Sequence, residues 1–142
     1  IARRLSDVPM VLVGAPILLA EHGNPETLDE LAEIPFVHYQ SERTLQKMWF
    51  RKVGEDPVQV TTHAKLSTNN DQMMVAFANA GHGLIMLPRF MVKSDIEEGR
   101  LREVLPQYVP YPERKLYAVF SHGRHLPLKT RALIDFLVEE LK

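Results

Sequence analysis

Residues 8–16 read VPMVLVGAP, an apolar run stopped by Gly14-Ala15-Pro16. A strand with one wet face alternates apolar and polar residues, and this run does not. It predicts a strand over 8–15 buried on both faces, as in the parallel or mixed sheets of α/β proteins. A second such run, GLIMLP (83–88), closes at Pro88. Helical patterns lie between the strands. ILLAEHG (17–23) reads as a short helix ended by Gly23. NPETLDELAEIP (24–35) has Asn24 to cap, Pro25 at the first helical position, and Leu28 and Leu31 on one side. HLPLKTRALIDFLVEELK (125–142) is the clearest helix: Leu133, Phe136, Leu137 and Leu141 form an apolar stripe, with Lys129, Arg131, Asp135, Glu139 and Glu140 toward water. Strands and helices in alternation imply an α/β fold.

The other segments fit that class. FVHYQ (36–40), WFRK (49–52), VQVTT (58–62) and LYAVFS (116–121) read as strands. EEGRLREVLP (97–106) reads as a turn and a short strand, and YVPYPERK (108–115) as a proline-rich connector. Strands 8–15 and 116–121 are far apart in sequence, and each adjoins a proline-rich joint. They predict two antiparallel crossover strands, side by side, linking two lobes.

Composition narrows the chemistry. The net charge is −1 over 142 residues, without the basic excess that phosphate contacts need. The chain has no cysteine, so disulfides and thiolate metal sites are excluded. The longest apolar run, PMVLVGAPILLA, has 12 residues, too few to span a bilayer. No metal site is expected: His122 and His125 share an H-x-x-H spacing, but in a polar turn with no third ligand beside them. No catalytic residue is expected either. Ser67, Ser94 and Ser121 lack a nucleophile-elbow context, and most carboxylates fall on exposed helical or turn positions. AGHGL follows a helix and precedes a strand, the reverse of a nucleotide loop, so no cofactor is implied.

One segment stands out. STNNDQMMVAFANAGHGLIMLP (67–88) reads as a polar turn, a helix, a glycine break and a buried strand. Asn69 as cap would put Gln72 three residues on, a capping-box spacing. Met73, Met74, Phe77 and Ala78 fall on one face, and Gly81 ends the helix. A helix start carries N–H groups with no internal partner, so Thr68, Asn69 and Asn70 are candidates to hold a ligand there. Simple capping is the alternative.

Taken in order, RRLSDVPMVLVGAPILLAEHGNPETLDELAEIPFVHY, a lone Trp in MWF, LSTNNDQMMVAFANAGHGLIMLPRFMV, IEEGRLREVLP and KLYAVFSHGRHLPLKTRALIDFLVEEL resemble the effector-binding domain of LysR-type transcriptional regulators. Gly14-Ala15-Pro16 stands where Ala-Ser-Pro is common, and Ile17 where an aromatic pair often follows. The resemblance implies a two-lobed, type II periplasmic-binding-protein-like fold. The second lobe, 16–113, would be complete. The first, 1–15 and 114–142, would be partial, its opening strands and helices absent. Gly14, Ala15, Pro16, Lys115 and Leu116 would form the hinge. A small-molecule effector, with a carboxylate as a suitable group, would contact Thr68, Asn69 and Asn70 between walls from Leu66, Phe36, His38 and Pro88. DNA would be bound only through an N-terminal winged helix-turn-helix absent here. A cytoplasmic location and a homo-oligomer are expected of the full-length protein. A solute-binding protein of a transport system has the same architecture and is the alternative; an enzyme has no catalytic constellation behind it.

Overall fold

Proline has no N–H to give to a sheet ladder, and Pro9 divides the N-terminal apolar stretch into β1 (Ala2–Val8) and β2 (Met10–Gly14). There follow α1 (Pro16–His22), a 3-10 helix (Asp29–Glu33), β3 (Phe36–Tyr39), β4 (Leu45–Arg51), β5 (Val58–Thr68), α2 (Asp71–Asn79) and β6 (Ile85–Pro88). The chain ends with α3 (Arg89–Glu97), β7 (Arg102–Glu103), β8 (Val109–Tyr111), β9 (Arg114–Val119) and α4 (Leu128–Glu140). The computed structural model describes residues 1–121 and 125–142. His122 of the H-x-x-H pair lies outside the described residues, and His125 is exposed.

The chain packs as two units, Ile1–Pro9 with Glu113–Lys142, and Met10–Pro112. This corrects the crossover expectation. The antiparallel partner of β9 is β1, from Ala2↔Val119 to Val8↔Arg114. β2 instead lies between β6 and β7 in another sheet. The sequence run hid the change because Pro9 is itself apolar. The chain passes between units at Pro9–Met10 and Pro112–Glu113. Gly14, Ala15 and Pro16 lie inside the larger unit, as the end of β2, the residue before α1 and the first residue of α1. Lys115 and Leu116 pair with Asp7 and Ser6 inside the smaller one.

In the larger unit the β6-β2-β7 sheet and the β3-β5-β4-β8 sheet meet through a parallel bridge, Phe36↔Leu84. Their apolar strands are buried on both faces, as the missing alternation requires. Leu12 and Phe36 join one cluster with Leu18, Leu31 and Phe50. Val11, Val13, Val37, Ile85 and Leu87 join another with Met74 and Ala78 of α2. The helix expected over 24–35 is only the 3-10 turn. Leu28, Leu31 and Ile34 are all buried, and a spacing of three lines them up at three residues per turn, whereas at 3.6 the line drifts round the helix. The Glu30 side chain accepts the N–H of Glu26 at 3.0 Å, which holds the approach to it as a turn.

Helix α3 has no counterpart among the sequence expectations. One of its two buried residues is a carboxylate, Asp95, beside Val92. Asp95 accepts from Arg100 Nε at 2.9 Å and from Asn79 Nδ2 at 3.2 Å. This ties the ends of α2 and α3 together.

In the smaller unit α4 packs on β1, with Arg3 paired to Asp135 at 2.6 Å. Ile134 is the buried residue of α4, and Leu137 and Val138 are half-buried beside it. The expected stripe is therefore turned. Leu133 is 57% and Phe136 58% exposed, and Leu141 is exposed too. β1 and β9 form only a two-stranded sheet, which covers a single line of the helix.

Candidate functional site

The site is built from two strand ends and a helix start. The first part of β5 pairs antiparallel with β4, and its last part pairs parallel with β3. The parallel pair ends level, at Tyr39↔Thr68. Beyond it run Gln40–Glu42 on one side and Asn69–Asn70, leading into α2, on the other. Open α/β sheets bind ligands outside the carboxyl ends of their strands. Here an open hollow of about 640 Å³ lies at those ends, lined by Gln40, Ser41, Glu42, Ser67, Thr68 and Asn69.

Hydrogen bonds hold the two sides of the rim together. Gln40, with φ at 48°, donates its N–H to the Thr68 carbonyl at 2.9 Å. Ser67 Oγ accepts the Ser41 N–H at 3.1 Å and donates to the Ser41 carbonyl at 2.9 Å. Ser41 Oγ donates onward to the Arg43 carbonyl at 2.8 Å. The lining is thus hydroxyls and amides, and Glu42 is its one charged side chain.

The helix start is capped one residue later than expected. Asn70, not Asn69, has the extended backbone of a cap, and its Oδ1 accepts the Met73 N–H at 3.0 Å. Thr68 Oγ1 accepts the Asn70 N–H at 3.2 Å. That leaves the N–H groups of Asp71 and Gln72 without an acceptor inside the helix. The opposite end closes as the sequence implied. Gly81 N–H bonds the Ala78 carbonyl and His82 N–H the Phe77 carbonyl, the pattern of a Schellman turn, with Gly81 at φ 83°.

The predicted site residues separate into three groups. Thr68 and Asn69 line the hollow. Asn70 adjoins it with its side chain committed to the cap. Leu66, Phe36, His38 and Pro88 are not in its lining: Phe36 and Leu66 pack in the two apolar clusters, and Pro88 pairs with Met10 at the far end of β6. His38 is 3% exposed, with Nε2 at 3.0 Å from Thr62 Oγ1. Burial, and then the nearby His63, hold its pKa below the ordinary 6.5. Sequence reasoning missed Gln40, Ser41 and Glu42. Their signal was the polar stretch directly after the strand FVHY, which gains meaning only once β3 is known to run parallel to β5.

The family described as the LysR substrate binding domain matches residues 1–142. The chain belongs to that family. Among curated relatives, it is 27% identical over 140 residues to the HTH-type transcriptional regulator CrgA of Neisseria meningitidis serogroup B, covering 99% of this chain and 46% of the relative. It is 31% identical over 142 residues to the HTH-type transcriptional regulator PtxR of Pseudomonas aeruginosa, covering 99% and 44%. The chain thus spans about half the length of these relatives. Among solved structures, the CrgA regulatory domain superposes with a TM-score of 0.76 at 26% identity, covering all of this chain and 69% of that one. The full-length Vibrio cholerae virulence activator AphB gives 0.81 at 23% identity, covering all of this chain and 48% of that one, a likeness of fold.

LysR-type regulatory domains have the type II periplasmic-binding-protein-like fold, and this chain shares it. LysR substrate-binding domains sense small-molecule effectors for transcriptional regulators, and they are not an enzyme family. Nothing in these relationships supports the transport alternative. Among the described residues, no helix is long and apolar enough to cross a membrane.

Proposed function

We propose that this LysR-type domain is the effector sensor of a bacterial, cytoplasmic, homo-oligomeric regulator that binds DNA through a separate N-terminal domain. In this reading Thr68, Asn69 and the start of α2 hold the effector, and a carboxylate is the group they hold. The observation that carries it is the hydroxyl- and amide-lined hollow at the carboxyl ends of β3 and β5. An anion there lies just before the start of α2 and gains from the positive end of the helix dipole. Thr68 and Asn69 side chains fix its orientation, since a few placed polar groups decide how a small ligand sits. Glu42 lines the same hollow and supports an effector that also carries a hydroxyl or amino group.

The test is a thermal-shift screen of small carboxylates against the whole regulator, followed by calorimetry. A ligand that binds only the folded state raises its melting temperature. Thr68→Ala should then weaken binding by about 1 kcal/mol, the size of one hydrogen bond. Unchanged affinity in both Thr68→Ala and Asn69→Ala would remove the site from consideration.

A further inference from the structure

His38 sits two residues before the rim of the hollow, and a chain of hydrogen bonds runs from its ring across the sheet. Thr62 Oγ1 has one proton, and two acceptors lie within reach of it, the Gln46 carbonyl and Met48 Sδ, both at 3.3 Å. His38 Nε2 lies 3.0 Å from the same Oγ1, which accepts from Nε2 when its own proton goes to either of those acceptors. The chain His38–Thr62–Gln46 thereby joins β3, β5 and β4. In that arrangement neutral His38 carries its proton on Nε2 and leaves Nδ1 bare. Nδ1 is buried and has no hydrogen-bond partner. A proton arriving there makes a buried cation with an N–H that has no acceptor, and both features oppose the fold.

Among the described residues, no carboxylate is recorded as acting on that cation. β4 brings Met48 and the Gln46 carbonyl, and β5 brings Thr62 and His63. β3 itself brings the Phe36 ring, with its centroid 5.7 Å away. Among the described residues, His63 is the titratable group that acts on His38, and it has the same sign. Its Nδ1 lies 3.1 Å from the Ala32 carbonyl. The cheapest relief is local. β3 is a short strand; its last residue, Tyr39, and the following Gln40 are exposed. Beyond them the rim is held by Gln40 to Thr68 and by the Ser41–Ser67 pair.

We propose that His38 is an acid-operated latch: when its buried Nδ1 takes up a proton, the end of β3 loosens and the Gln40–Glu42 side of the hollow opens. The effector reading bears only on what the hollow holds, not on whether the latch works.

Amide hydrogen exchange on the full chain, read by NMR from about pH 8 to about pH 5 and corrected for the intrinsic exchange chemistry, tests this. Opening at Gln40 and Ser41 should rise by up to about tenfold per pH unit below 6.5, one proton's worth. The β6 amides should not follow. His38→Gln, which cannot titrate, should abolish the rise, and His63→Gln should keep it. The latch is overturned by rim opening that ignores pH, by the same rise in His38→Gln, or by acid opening spread evenly through β4 and β6. If His38→Gln does not fold, the contrast between rim and β6 in the unaltered chain decides alone. Thr68→Ala calorimetry at about pH 8, where the latch is shut, tests the effector site separately.

Discussion

Asn70 Oδ1 receives the backbone N–H of Met73 at 3.0 Å. The amide that reads in sequence as a ligand contact is therefore the cap of α2. Asn70→Ala should lower stability by about 1 kcal/mol, the usual loss for a capping side chain, while Asn70→Asp should retain most of it. Effector affinity of the folded protein should hold in both. Denaturant melts followed by the single tryptophan, Trp49 in β4, would measure the loss. A stable Asn70→Ala that no longer binds effector would reverse this assignment of Asn70.

Gly83 stands where the two sheets of the larger unit meet. A Cβ there would lie 2.8 Å from the carbonyl carbon of Phe36 and 3.0 Å from Pro35 O and Val37 N. All three are backbone atoms, held by the bonds Val37 N–H to Leu84 O and Leu84 N–H to Pro35 O, each 2.9 Å. Gly83→Ala has no flexible side chain to push aside and should cost about 1–3 kcal/mol. Gly14→Ala meets the end of a side chain, Leu84 Cδ2 at 2.5 Å, and should cost less. Equal melting midpoints for the two variants would contradict this reading of the junction.

What the sequence disclosed follows from how local each signal is. Unbroken apolar runs gave β2 and β6, and Gly81 gave the end of α2, because burial on both faces and a left-handed turn leave marks within a few residues. The parallel pairing of β3 with β5 leaves no local mark. It depends on contacts between distant segments, and the Gln40–Glu42 side of the hollow was invisible for that reason. β5 was read too short. Its second half, from His63 to Thr68, is polar and only partly buried, so it resembled a turn. The strand boundary at Pro9 and the helix α3 were missed for opposite reasons, an apolar residue that breaks a strand and a buried carboxylate that belongs to a helix.

On α4 the buried residue is Ile134, at 5% exposure, while its neighbour Leu133 faces outward. Ile134→Asp places an unpaired carboxylate against β1 and should cost several kcal/mol. That is enough to release the smaller unit while the larger stays folded. Leu133→Asp should change stability by no more than about 0.5 kcal/mol, as for an ordinary surface site. NMR amide signals of β1 and β9 report the smaller unit, and Trp49 reports the larger. Loss of the β1 signals in Leu133→Asp but not in Ile134→Asp would show that the helix packs by its other face.

Stability should fall in mild acid, and the direction follows from His38. Its folded pKa lies below 6.5, chiefly through burial and then through His63. Between the folded value and 6.5, the unfolded chain therefore binds the proton that the folded chain refuses. This contribution is fully present above 6.5 and is lost as pH falls from 6.5 toward the folded value. One proton gives a slope of at most about 1.4 kcal/mol per pH unit. His38→Gln removes the titrating group but leaves an amide able to donate to Thr62, so its stability should vary less over the same range. His63→Gln should keep most of the slope, because burial outweighs the His63 charge among the causes. Denaturant midpoints taken across that range, with Trp49 as the probe, decide it. A slope undiminished in His38→Gln would place the acid sensitivity on another group.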